Sequence, residues 1–114
     1  MGPSLLFMSV REYQYDIAIS ELTEYSDDLK IRDMTEYERG YMESVVSQII
    51  MKIYDEKIRW ELAEKTIWIS SPVDIIADYY YSYQMCISKA PTDEYKEIFQ
   101  IAYQAAEEIL QRFL

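Results

Sequence analysis

From Ser9 to Leu29 the apolar residues Tyr15, Ala18, Ile19, Leu22, Tyr25 and Leu29 recur at intervals of three and four. That is the period of one face of an α-helix, and it predicts a first helix over these residues. A second helix is predicted from "TEYE", Thr35 to Glu38, which has the spacing of a capping box. In such a box the Thr oxygen accepts from the amide three residues on, and the Glu side chain reaches back. Tyr37, Tyr41, Val45, Ile49 and Ile53 give this helix an apolar stripe that continues through Ile58, Leu62 and Ala63.

No sequence signal stops the second helix before Ser70. A helix over 35–69 would be about 50 Å long at ~1.5 Å per residue, longer than a small globule is wide. It either breaks near Tyr54-Asp55-Glu56 or overhangs and pairs with a second copy. "TIWIS", Thr66 to Ser70, alternates in hydropathy and offers an extended stretch as the other reading.

"SSPVD" starts a third helix with Ser71 as the cap, Pro72 at the first helical position and Asp74 completing the box. It runs to about Ser88, where "KAP" ends it. Thr92 caps a fourth, with Asp93 and Glu94 in its first turn and Arg112 near its end, both favourable to the helix dipole. Its stripe is Tyr95, Ile98, Phe99, Ala102, Ala106, Ile109, Leu110 and Phe113. The fold class that follows is all-α: an antiparallel four-helix bundle, or a dimer of helical hairpins with one long central helix. Residues 1–8 are read as a flexible arm or cloning remnant, and 9–114 as one domain.

Composition narrows what such a fold can do. The 114 residues hold 21 acidic and 11 basic side chains, a net charge of −10, and no histidine. A phosphate backbone is repelled by that field, so direct nucleic-acid binding is not expected and a basic protein partner is. The di-iron sites of helical bundles need histidine, and nucleophilic catalysis usually takes it as base. The Glu-x-x-Glu pairs Glu21/Glu24, Glu61/Glu64 and Glu94/Glu97 have the donors for a hard cation, yet such pairs ordinarily line a solvated face. Gly40 stands alone where a phosphate loop would need several glycines. The expectation is a protein without catalytic function, cofactor or metal.

Cys86 is the only cysteine. An intramolecular disulfide is therefore impossible, and an intracellular, cytoplasmic protein is expected. No apolar run is long enough to span a bilayer, so no membrane association is expected.

Two surfaces are candidates for binding. Glu12, Asp16, Glu21, Glu24, Asp27 and Asp28 are the charged residues of the first helix between Glu12 and Asp28, with no Lys or Arg among them. Their spacing resembles a row of phosphates. That resemblance, one of charge alone, suggests a nucleic-acid mimic that occupies a basic groove, as small viral anti-defence proteins do inside a host cell. The plainer reading is a solvated acidic face that keeps the chain soluble.

The other surface is "IIADYYYSYQMC", Ile75 to Cys86. Ile76, Ala77, Tyr80, Tyr83, Gln84 and Ile87 share the face fit for a core, with Tyr79, Tyr81 and Met85 on its flanks. A helix apolar most of the way round is central in its bundle or pressed against a partner. Tyrosine suits a contact surface, because its rigid ring buries area at low entropic cost while its hydroxyl stays wet. Tyr79, Tyr80, Tyr81, Tyr83 and Met85 are thus the expected association surface, most simply a homodimer seam. The expected function is a small regulator or inhibitor engaging a basic partner through its acidic first helix, or else an assembly subunit.

Overall fold

The stripes and caps resolve into four helices in a computed structural model that describes residues 3–62 and 70–114, with side chains from Gln14 onward. These are α1 (Pro3–Ile31), α2 (Glu36–Leu62), α3 (Pro72–Ser88) and α4 (Asp93–Gln111). The described residues contain no strand. None of the described helices is long and apolar enough to cross a membrane.

Helix α1 begins at Pro3, ahead of the expected Ser9. Helix α2 passes through Tyr54, Asp55 and Glu56 without a break. Its expected continuation to 69, and the extended alternative for "TIWIS", fall mainly on 63–69, outside the described residues.

Each predicted cap is present, with one change. The amide of Glu38 donates to the Thr35 hydroxyl oxygen at 3.1 Å, while that hydroxyl donates to Glu38 Oε1 at 3.2 Å. The box closes on the hydroxyl and not on the Thr35 amide. Ser71 accepts from the Asp74 amide at 3.2 Å, and Thr92 accepts from the Tyr95 amide at 3.2 Å.

The core follows the α1 stripe closely. Tyr15, Ala18, Leu22, Tyr25 and Leu29 are all fully buried, with Ile19 at the margin. On α2 the buried residues are Met42, Val45, Val46, Ile49, Ile53, Glu56 and Trp60. Tyr37, Ile58 and Leu62, expected on that stripe, are exposed instead. The reason is geometric: residues spaced strictly by four drift about 40° per step around a 3.6-residue helix. A stripe that stays on the core must mix steps of three and four, which leads to Trp60.

The α1 and α2 helices lie side by side in opposite directions. The Tyr15 and Trp60 rings are 6.3 Å apart, and Lys57 Nζ is 2.7 Å from Asp16. At the far end Arg39 donates to the carbonyls of Leu29 at 3.0 Å and Arg32 at 2.6 Å, closing the open carbonyls of α1. Helix α4 turns Ala102, Ala105, Ala106 and Ile109 to the core. Side chains this small permit a close approach of neighbouring helices, and α4 packs on both α3 and α2. Glu56 is the one buried charge among the described residues. Its carboxylate is held by Arg59 at 2.9 Å and Lys52 at 3.4 Å.

Candidate functional site on α1, α3 and α4

The acidic row of α1 is not the bare series of carboxylates that its sequence suggests. Asp16 pairs with Lys57 of α2, and Asp27 with Lys30 of α1 at 3.5 Å. Arg112, just past α4, reaches Asp28 at 2.5 Å and Glu21 at 3.7 Å. Glu24 is exposed, and the Glu12 side chain lies outside the described set. The expectation of an unneutralised row is corrected accordingly. The physical reason is that these carboxylates flank the core stripe, so α2 and α4 bring their cations within reach.

Behind this row the Tyr25 hydroxyl donates to Glu108 Oε1 at 3.2 Å, and Arg32 pairs with the same oxygen at 2.7 Å. Gln104 donates to Glu108 Oε2 at 3.0 Å. The guanidinium carbons of Arg32 and Arg112 stand 5.9 and 5.1 Å from the centre of the Tyr25 ring. At such distances a cation is attracted by the ring face. The group as a whole fastens α1 to the end of α4.

Burial first, and then the charge of Glu108, raises the Tyr25 phenol well above its ordinary value of 10.0. The folded chain therefore favours the neutral phenol more than the unfolded chain does. Stability from this source is complete below about pH 10 and is lost as pH climbs toward the raised folded value, by about 1.4 kcal/mol per pH unit for one such group. Urea midpoints measured between pH 9 and 12 should fall, and should fall less steeply in Tyr25→Phe. Parallel slopes for the two proteins would remove Tyr25 as the cause.

The five residues expected to form one association surface divide in two. Tyr79 and Tyr83 are half-buried against the core, their rings 6.2 Å apart. Tyr80 meets Tyr103 of α4 with ring centres at 4.8 Å, and the Tyr103 hydroxyl donates to that of Tyr80 at 2.6 Å. This hydrogen bond, ahead of burial, pushes the Tyr103 phenol up to about 12. Tyr81 and Met85, one turn apart, remain outside at 60% and 57% exposure.

Residues assigned by sequence to the α4 core stripe extend this outer face. Tyr95 is 52% exposed and stacks on Phe99 with ring centres at 6.2 Å. Phe99, Met85, Pro91, Cys86, Ser82 and Lys89 line a surface groove of about 440 Å³ between the two helices. An aromatic pair at i, i+4 in the first turns of α4 was the available signal, and it reads equally well as core. Among the described residues no three Cys, Asp or Glu side chains converge as a metal site would require.

Comparison with protein-family models, with curated proteins and with solved structures finds no match.

Proposed function

We propose that this chain is a non-enzymatic protein-binding module whose contact face is the outer side of the α3–α4 hairpin. The observation that carries the reading is the exposure of Tyr81 and Met85 beside the Phe99 groove. An exposed aromatic and thioether surface of this kind ordinarily marks a contact site. The partner we propose is a basic amphipathic segment. Its bulky apolar side chain fills the groove, and the net charge of −10 steers it in.

The acidic helix has a different part in this proposal. A partner seated on α1 would first have to displace Lys57 and Arg112 from Asp16, Glu21 and Asp28. Exchanging one cation for another returns little net energy, so α1 attracts and the aromatic face holds. A nucleic-acid mimic would reverse these roles.

Site-specific photocrosslinking in cells that make the protein separates the two. A benzophenone side chain in place of Tyr81 should capture a basic partner, and Met85→Glu in the same chain should abolish the adduct. The same probe at Glu24 should give none. Capture from Glu24 alone would transfer the function to the acidic helix, and an adduct indifferent to Met85→Glu would remove the groove from it.

A further inference from the structure

The side of α2 turned away from the core has a pattern of its own. Beginning at Tyr37, it passes through Gly40, Ser44 and Ser47, then Met51, Tyr54 and Ile58, in alternating steps of three and four. These are the positions of a coiled-coil seam, and every one of them is exposed. Met51 is 67% exposed and Ile58 50%, on a face where a solvated helix would carry charge.

Gly40 makes the pattern harder to explain within one chain. It sits inside regular α-helix, and a Cβ there would meet nothing within 4 Å. A helix-interior glycine costs roughly 0.5–1 kcal/mol relative to alanine. No neighbour in its own fold requires that cost. Around it is a hollow of about 340 Å³ lined by Glu36, Tyr37, Gly40, Tyr41 and Ser44.

We infer that this face of α2 is a two-fold interface with a second copy of the same chain, the two α2 helices antiparallel and crossing level with Ile49. In that register Gly40 faces Ile58 of the second copy, Ser44 faces Tyr54, and Ser47 faces Met51. Each small residue meets a large one, and Ile58 enters the hollow at Gly40. Because the interface is isologous, every pairing occurs twice. A parallel arrangement would set Met51 on Met51 and Tyr54 on Tyr54 while leaving a void at Gly40.

None of the seam residues lines the α3–α4 groove.

The test is the mass of the purified full chain by sedimentation equilibrium over a concentration series. The wild type should be a dimer. Gly40→Leu places its side chain in open space within the monomer, so helicity and urea midpoint should hold or rise while the dimer dissociation constant increases about tenfold or more. Met85→Glu should leave the dimer intact. In a Cys86→Ala background, the double variant Ser44→Cys with Tyr54→Cys should oxidise to a linked dimer, and Gly40→Cys alone should not.

A monomeric wild type would overturn the inference, as would a dimer insensitive to Gly40→Leu. A dimer dissolved by Met85→Glu would place the seam on α3–α4 instead. Rapid linkage through Gly40→Cys alone would overturn the antiparallel register.

Discussion

Trp60→Ala is expected to destabilise the chain by about 3–5 kcal/mol, the range for removing a large buried aromatic. Trp60 is 2% exposed, near the C-terminal end of α2, and its ring lies 6.3 Å from that of Tyr15. The Tyr15 hydroxyl in turn donates to the carbonyl of Ser70 at 2.9 Å, just ahead of α3. One indole therefore supports the contact between α1, the end of α2 and the approach to α3. The cavity left by alanine cannot easily close, because the buried residue one turn back is the charged Glu56. The comparison that gives the number its meaning is Leu62→Ala, at the exposed end of the same helix and 78% exposed, where a change within about 0.5 kcal/mol is expected. Urea unfolding of both variants reads the difference. Equal losses would show that the end of α2 is not packed through Trp60.

This contrast also shows where sequence pattern runs out. Helix α1 was legible because most of its described apolar residues fall on one side, Ile17 and Ile31 being exposed exceptions, and Tyr15, Ala18, Leu22, Tyr25 and Leu29 turn inward together. On α2 both sides carry apolar residues. Val45, Ile49 and Ile53 are buried on one, and Met51, Tyr54 and Ile58 are exposed on the other, so periodicity alone could not say which was the core. On α3 the buried residues are Pro72, Ile75 and Ile76, with Tyr79 and Tyr83 resting on the core, a face rotated from the expected one by roughly one flank. The rings are so evenly spread that Tyr80 could be drawn to Tyr103 without exposing an unsatisfied hydroxyl. The caps were readable because each is decided within four residues.

Charge behaved in the opposite way. The acidic bias of α1 was evident from sequence, and its neutralisation was not, because Lys57 and Arg112 lie 41 and 84 positions from Asp16 and Asp28. Along α2 acidic and basic residues interleave, a spacing that favours pairs four residues apart. Lys52 with Glu56 follows that rule, but Arg59 turns back to Glu56, and Arg39 pairs with Glu36 while capping α1. Tertiary distance decides which carboxylates of an acidic protein remain available to a partner. On α1 Glu24 is the described member without a cation beside it in these pairings.

Tyr25→Ala is expected to cost about 3–5 kcal/mol, a loss comparable to that of Trp60→Ala but of different origin. The Tyr25 ring is 1% exposed and lies beneath the guanidinium groups of Arg32 and Arg112, while its hydroxyl serves Glu108. Tyr25→Phe divides these contributions. It keeps the buried area and the surface beneath both cations and removes only the hydrogen bond to a carboxylate, for which about 1–2 kcal/mol is expected because Arg32 and Gln104 still serve Glu108. The two substitutions also act differently on the charges of α1. Without the ring, Arg112 loses its platform and is held by Asp28 and Glu21 alone, so the alanine variant should become more sensitive to added salt than wild type while the phenylalanine variant should not. Urea midpoints at low and high salt test this directly. Equal costs for alanine and phenylalanine would mean that the hydroxyl, and not the ring, fastens α1 to α4; equal salt slopes would mean that Arg112 keeps its place by ion pairing alone.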